Sequence, residues 1–506
     1  MKITALWDHQ RDAVEFAMHN FCPSFGRPSG VVFAHEMGLG KTLTAVATIA
    51  ELAKRGKNVF PCVLACPLSM MTHWQKTFNE YEGFEGYAEI MHQDNKTKVP
   101  FYKADVWIMT FTGLETKYQE LVLKHCKSFI VDEASRLKNP KAHFTRAMKK
   151  LAKSCAYRLL LTATPLENSP MELFELMNVA HPGWGGTRKQ FQYCYSRQLR
   201  AGVKDGANAE QRLFARKAAA QVFRMLAPYL IRKLNQSSTQ TDVLIETPMT
   251  TEQELVYNEV KASHKDIYKK KRTVFHNGYK IRESYLDPIA RALQQKQMAE
   301  LWSILVGTHA RMENVVTGKM DWLRDQLPAL LRDGSKIAVF FKYRATLAQT
   351  LEILKDFGIK TVVIHGGVCA ADRELAIASM NTGSAQVLLG TSRSCGYGIN
   401  LLSIDKIVLA ETDWNAAIDL QTAARGSRPG NPNPVTVYRL VTPGTIEAHA
   451  DATASAKLTL SRLVLDDKIA LRTKQHKAAA KAAESLGSKV VSFDLRQLER
   501  GMIFQH

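Results

Sequence analysis

The chain has 506 residues, 45% hydrophobic and 23% charged, and its 68 Lys and Arg against 48 Asp and Glu leave a net charge of +20. That balance excludes a disordered chain, and the lack of a Gly or heptad period excludes a fibrous one. No run approaches the roughly 18 apolar residues that cross a bilayer, and the N-terminus turns charged before any signal core. A soluble, cytoplasmic chain with no signal peptide or transmembrane segment is therefore expected. Its eight scattered cysteines include no Cys-x-x-Cys pair, so reduced thiols are expected rather than a disulfide framework or a zinc ribbon. The surplus of cations predicts a polyanionic partner, nucleic acid first and an anionic membrane surface second.

Along the chain, Val31–Ala34 reads as a buried strand and Lys41–Arg55 as the helix after it. Cys62–Cys66 is the next strand and Met70–Tyr81 the next helix. Val106–Met109, Phe129–Val131 and Arg158–Leu161 continue the series. Short apolar runs alternating with helical stretches predict parallel βαβ units. From about residue 178 to 305 the composition is polar, basic and largely helical, with no clear strand before Asp242–Ile245. The alternation resumes at Lys336–Phe341 and runs through Thr361–Ile364, Gln386–Leu389, Lys406–Leu409 and Val435–Tyr438. The expected fold class is α/β: two parallel-sheet lobes with a helical insertion between them. The expected divisions are 1–177, 178–305, 306–465 and a basic tail 466–506. Basic residues cluster at Arg136–Arg158, Lys261–Arg282 and Lys457–Lys481.

His35-Glu36-Met37-Gly38-Leu39-Gly40-Lys41-Thr42 follows a predicted strand and opens a predicted helix. In that context, successive amides of Met37 to Thr42 and the helix N-terminus would cradle phosphates. Lys41 would reach the outer phosphates and Thr42 would ligate magnesium. The competing reading is a Gly-rich turn before a helix. Asp132-Glu133 ends another predicted strand. Asp132 would hold the metal, and Glu133 would orient and deprotonate the attacking water. A helix N-cap is the alternative for such a pair.

These motifs, with Ala65-Cys66-Pro67-Leu68-Ser69 followed by His73-Trp74, Asp132-Glu133-Ala134-Ser135-Arg136-Leu137-Lys138-Asn139, Thr162-Ala163-Thr164-Pro165-Leu166-Glu167-Asn168, Gly396-Tyr397-Gly398-Ile399-Asn400-Leu401, Asp413-Trp414-Asn415 and Gln421–Arg428, stand in an order that resembles superfamily two helicases, and specifically Swi/Snf-type DNA-dependent ATPases. The resemblance runs from about Leu6 to Glu447 and implies two RecA-like lobes, with ATP and Mg2+ as cofactors. It implies that Gln10 reads the adenine edge, that Arg425 and Arg428 reach the γ-phosphate, and that Gly398 and Gln421 line the nucleotide cleft. Ser135 departs from the family's His, which links the acidic motif to Thr162-Ala163-Thr164; a hydroxyl could still bridge. Asp stands in the family where this chain has His35.

The resemblance also implies sequence-nonspecific DNA contacts at Pro67, Ser69, Thr110, Lys342, Gly366, Thr391 and Arg393, where amides and hydroxyls would hold phosphates. Lys269, Lys270, Lys271 and Arg272, interleaved with Tyr268, Phe275 and Tyr279, form a further basic stretch that would engage duplex or junction DNA, or else a solvated helix face with aromatics packed inward. The expected activity is ATP-driven movement on DNA, with strand separation or pure duplex translocation both open. Remodelling of forked or branched DNA in replication, recombination or repair is the favoured setting, in a bacterial or phage-infected cell, beside replication or recombination proteins. The chain is expected not to be a nucleosome remodeller. A non-hydrolysing DNA-binding scaffold is the other class.

Overall fold

The computed structural model describes residues 5–21, 30–91, 103–116, 119–204, 206–234, 240–255, 257–258, 273–276, 279–282, 317–395, 401, 404–412, 416–423, 426 and 434–465. The chain forms two compact units: residues 1–237 with 456–469, and residues 238–455 with 470–506.

The first unit opens with helix α1 (Asp8–Phe21) and then alternates strand and helix: β1 (Val31–Phe33), α2 (Lys41–Lys54), β2 (Cys62–Cys66), α3 (Met71–Glu80), β3 (Ala88–Ile90), β4 (Val106–Thr110), α4 (Phe111–Glu115), α5 (Gln119–His125), β5 (Ser128–Val131), α6 (His143–Ser154), β6 (Tyr157–Leu161) and α7 (Pro170–Ala180). Then come α8 (Arg188–Phe191), α9 (Arg197–Gly202), α10 (Ala209–Leu226) and the two-residue strand β7 (Leu230–Ile231). The strands pair in parallel in the order β3-β4-β2-β5-β6-β1-β7. β1, β2, β5 and β6 are buried along their whole length, which is why they read as continuous apolar runs rather than alternating ones. Each face carries its own core. One holds Val32, Val63, Phe129 and Leu160; the other holds Val31, Leu64, Ile130 and Leu161. Caps set the helix starts: Ser169 Oγ accepts the amide of Met171 with Pro170 in the first turn, and Asn208 forms a reciprocal capping box with Gln211.

In the second unit a parallel sheet is built from β8 (Gln240–Glu246), β11 (Ile337–Phe341), β12 (Thr361–Ile364), β13 (Val387–Thr391), β14 (Lys406–Leu409) and β15 (Val435–Val441) in the order β12-β13-β11-β14-β15-β8. Its helices are α11 (Gly318–Leu330), α12 (Arg344–Asp356), α13 (Ala370–Thr382), α14 (Ser392–Cys395), α15 (Ala416–Ala423) and α16 (Ile446–Leu465), the last of which ends in residues of the first unit. A separate antiparallel hairpin pairs β9 (Thr273–His276) with β10 (Tyr279–Arg282).

Two expectations shift. The division at residue 177 is not where the contacts divide, because α10 buries Ala218, Ala219, Val222 and Leu226 in the first unit's core. Nor does Asp242–Ile245 stand in an insertion. β8 pairs along its whole length with β15, Val435↔Gln240 to Val441↔Glu246. The tail 466–506 lies outside the described residues. No described helix is long and apolar enough to cross a membrane.

Candidate nucleotide site

The C-terminal ends of parallel strands are where open α/β sheets present ligand sites. At that edge of the first sheet β1 gives way to the loop from Ala34 to Gly40. Gly38 (φ 80) and Gly40 (φ 69) hold left-handed backbone, which an L side chain adopts only with strain. A Cβ on Gly40 would also lie 2.2 Å from Gln10 Nε2. The turn delivers the chain directly into α2, whose first residues are Lys41 and Thr42. The Lys41 ammonium folds back on its own loop, donating to the carbonyls of His35 (2.9 Å) and Glu36 (3.1 Å). Thr42 is half-buried.

α1 lies against this loop. Buried Gln10 donates from Nε2 to the Gly40 carbonyl (3.2 Å) and accepts the Trp7 amide at Oε1 (2.9 Å), while His9 Nε2 meets the Leu39 carbonyl at 3.0 Å. The structure thus brings Gln10 to the loop with its amide engaged by protein.

Two strands away in the sheet order, β5 ends in Asp132-Glu133. Asp132 Oδ2 accepts the Trp74 indole N–H (2.8 Å), and Oδ1 accepts the Glu133 amide (2.9 Å). Burial pushes the Asp132 carboxyl upward, against the Trp74 hydrogen bond and the Lys41 charge, which favour the ionised form. Among the described residues Glu133 is the one non-glycine with left-handed φ, 49° with ψ 52°. Such strain persists where surroundings impose it and clusters at functional positions. Trp74 stands one residue after His73 in the sequence, but nothing there marked it as the Asp132 partner.

The bridge from the acidic motif to Thr162-Ala163-Thr164 is not made by Ser135, whose Oγ donates to the Glu133 carbonyl at 3.5 Å. Lys138 makes it instead. Its ammonium donates to the Thr164 carbonyl (2.8 Å) and pairs with Glu167 (2.6 Å), both side chains about nine-tenths buried. Thr164 Oγ1 donates to the same Glu167 carboxylate (2.6 Å).

His35 heads the loop and is 1% exposed. Its Nδ1 accepts the amide of Lys233, just past β7 (3.0 Å), and buried Nε2 has no hydrogen-bond partner among the described residues. Burial, with Lys41, His9, Arg232 and Lys233 nearby, pushes the imidazole down to about 3, so the ring is neutral.

Of the expected DNA-contact residues, Pro67 and Ser69 follow β2, and Thr110 ends β4, its hydroxyl capping α4 by accepting the Gly113 amide. In the second sheet Lys342 follows β11 and Gly366 follows β12, while exposed Arg393 stands just past β13. The amides of Lys342 and Tyr343 donate to one oxygen of Glu411 (2.7 and 3.0 Å), which burial pushes up to about 7. Thr391 departs from expectation: it is buried, and its hydroxyl donates to Ser394 (2.9 Å) because the chain turns at once into α14. Gly398, Arg425, Arg428, Tyr268 and Lys269 to Arg272 lie outside the described residues, as do the side chains of Gln421, Phe275 and Tyr279.

Two family models match in succession: the SNF2-related domain over residues 9–301 and the helicase conserved C-terminal domain over residues 318–430. The chain belongs to the SNF2-related family. This SNF2-related chain is 29% identical over 462 residues to the chromodomain-helicase-DNA-binding protein 1-like of Mus musculus, covering 87% of the chain and 48% of that protein. It is 25% identical over 510 residues to the DNA repair and recombination protein RAD54B of Gallus gallus, covering 90% and 54%. It is 27% identical to the protein CHROMATIN REMODELING 4 of Arabidopsis thaliana, covering 91% and 21%. The SNF2-related chain thus spans about half or less of the length of these curated relatives, and their organisms lend no support to the expected bacterial or phage setting. Among solved structures it is similar to the SWI2/SNF2 ATPase core of Sulfolobus solfataricus in complex with dsDNA, at 21% identity and a TM-score of 0.42, covering 92% of this chain and 98% of that one.

Proposed function

We propose that the chain is a DNA-dependent ATPase that uses ATP hydrolysis to move along DNA without reading sequence. The observation that carries this is the placement of the Gly38–Thr42 loop and the Asp132-Glu133 pair at the same edge of one sheet, close enough for Lys41 to favour the ionised form of Asp132. The donor set suits ATP with magnesium: glycine backbone that leaves room for phosphate oxygens, an ammonium, a hydroxyl and a carboxylate. Among the described residues no cluster of three His, Cys, Asp or Glu could hold a metal, so Thr42 and Asp132 would hold magnesium together with phosphate and water oxygens. When bound, magnesium would neutralise charge on the transferring phosphoryl group. Lys41 would exchange its loop carbonyls for phosphate oxygens. Trp74 fixes the Asp132 carboxylate, and Glu133, held by its backbone, would orient the attacking water and take its proton. Arg425 and Arg428 are proposed to complete the charge stabilisation.

Duplex translocation is the leading form, with strand separation and remodelling of forked or branched DNA as finer possibilities. A scaffold that has lost hydrolysis is disfavoured because Lys41, Asp132 and Glu133 are all present. The test is an ATPase assay with duplex, single-stranded, forked and four-way DNA and with RNA, beside strand displacement on the same substrates. Lys41→Ala and Glu133→Gln should abolish stimulated hydrolysis, with Glu133→Gln still binding ATP. Parental rates in either variant would refute the site.

A further inference from the structure

A second basic surface stands apart from every motif above. Between Arg188 and Arg224 the chain carries nine Lys or Arg against Asp205 and Glu210. The helices there form one layer. α10 buries Ala215, Ala218, Ala219, Val222 and Leu226, an i, i+3, i+4, i+7 stripe that turns its other face to solvent. On the outward side stand Arg200 of α9 and Arg216, Lys217 and Arg224 of α10, all exposed. Among the described residues none of these four has an acidic partner, whereas neighbouring Arg188 pairs with buried Glu175.

The same layer exposes large apolar side chains. Tyr193 is 70% exposed, with the Arg197 guanidinium over its ring at 5.6 Å, and Leu213 and Phe214 are also exposed. Tyr193 sits in the π-helical turn Gln192–Ser196, an irregularity that recurs at functional positions. Unpaired cations beside exposed rings suit a nucleic acid: guanidinium forks match phosphate oxygens, and rings stack on bases. The layer leaves and rejoins the sheet at the edge opposite the phosphate loop. The α7 carbonyl of Ala180 accepts the Gly30 amide just before β1, and α10 leads directly into β7.

We propose that the outward face of α9 and α10 is a second DNA-binding surface, gripping the phosphodiester backbone through Arg200, Arg216, Lys217 and Arg224, with Tyr193 and Phe214 beside it. This rests on the reading that DNA is the chain's partner.

The test measures affinity of the full chain for a blunt duplex and for single-stranded RNA at several salt concentrations. The variants are Arg200→Ala/Arg216→Ala/Lys217→Ala/Arg224→Ala and a control with exposed Lys54, Lys57, Lys355 and Lys360 replaced by Ala. Each phosphate contact contributes about 0.9 to the slope of log affinity against log salt for duplex. The first variant should flatten the duplex slope by up to about 3.6 and weaken binding at least about tenfold, while the control moves affinity less than about threefold. Equal slopes in the two variants, with parental melting curves, would overturn the proposal, as would a loss confined to RNA. Should the quadruple variant fail to fold, exposed Cys194 beside Tyr193 reports on the unmodified chain: saturating duplex should slow its alkylation about fivefold or more, and an unchanged rate overturns the proposal. If duplex binds this face but never stimulates hydrolysis, the proposed function fails and the surface stands.

Discussion

His35 should make the first unit acid-labile in a measurable way. The imidazole is neutral in the fold, with a pKa of about 3 against an ordinary 6.5. The unfolded chain therefore binds more protons than the folded one below pH 6.5, so the contribution is complete above that pH and is lost as pH falls towards about 3. The shift amounts to about 5 kcal/mol in full, of which about 2 kcal/mol is lost by pH 5. The physical cause is plain: a proton on Nδ1 would expel the Lys233 amide, and the new charge would face Lys41, His9, Arg232 and Lys233. His35→Asn keeps an acceptor for that amide and cannot titrate. Its lost ring contact with Phe33 costs the same at both pH values and cancels in the difference. Urea unfolding, read by pulsed hydrogen exchange of the β1 and β6 peptides at pH 7 and pH 5, isolates the first unit. The parent should lose about 2 kcal/mol more than the variant between the two pH values. Equal losses would refute the reasoning.

The Lys138–Glu167 pair is buried, so Lys138→Met should cost about 3–5 kcal/mol by stranding Glu167, and Lys138→Met/Glu167→Leu should recover most of it; a double variant as unstable as the single one in urea contradicts this. In the second unit Glu411 keeps its proton up to about pH 7 against an ordinary 4.5. Stability should therefore be greatest below pH 4.5 and fall by about 3 kcal/mol as pH rises through 7. Glu411→Gln should flatten that limb in exchange-monitored melts while still accepting the Lys342 and Tyr343 amides. Gly40→Ala should cost about 1–2 kcal/mol from its left-handed backbone and displace Gln10. Adding Gln10→Ala should return only the part due to the collision, read as a partial recovery of melting temperature.

Most strands that sequence reading found are buried on both faces, where a continuous apolar run leaves no other option; Thr361–Ile364 and Asp242–Ile245, only partly buried, were found from their short β-branched runs. β3 escaped because it is three residues long and carries Glu89, and β7 because two residues make no pattern. The loop and the acidic pair were legible because each is a contiguous motif. Their supports were not: the His35–Lys233 and Trp74–Asp132 hydrogen bonds join residues 198 and 58 apart, and nothing local encodes such a meeting. Ser135 shows the same limit. Its substitution was visible, but the transfer of the bridge to Lys138 and Glu167 depends on α7 returning past the acidic motif. The segment after residue 178 was read as basic and helical, yet which face of α10 turns inward became clear only from packing.

The first unit is not finished when its last strand is made. Its larger core includes Leu460, Val464 and Leu465, which the ribosome adds more than two hundred residues after β7. During synthesis the nascent first sheet must therefore wait, with one apolar face incompletely covered, while residues 238–455 of the second unit emerge. Domains elsewhere tend to fold in order as they are made; here the order closes on itself. A truncation shortly before residue 460 would remove core residues from the first unit, whose sheet lies more than two hundred residues earlier in the chain.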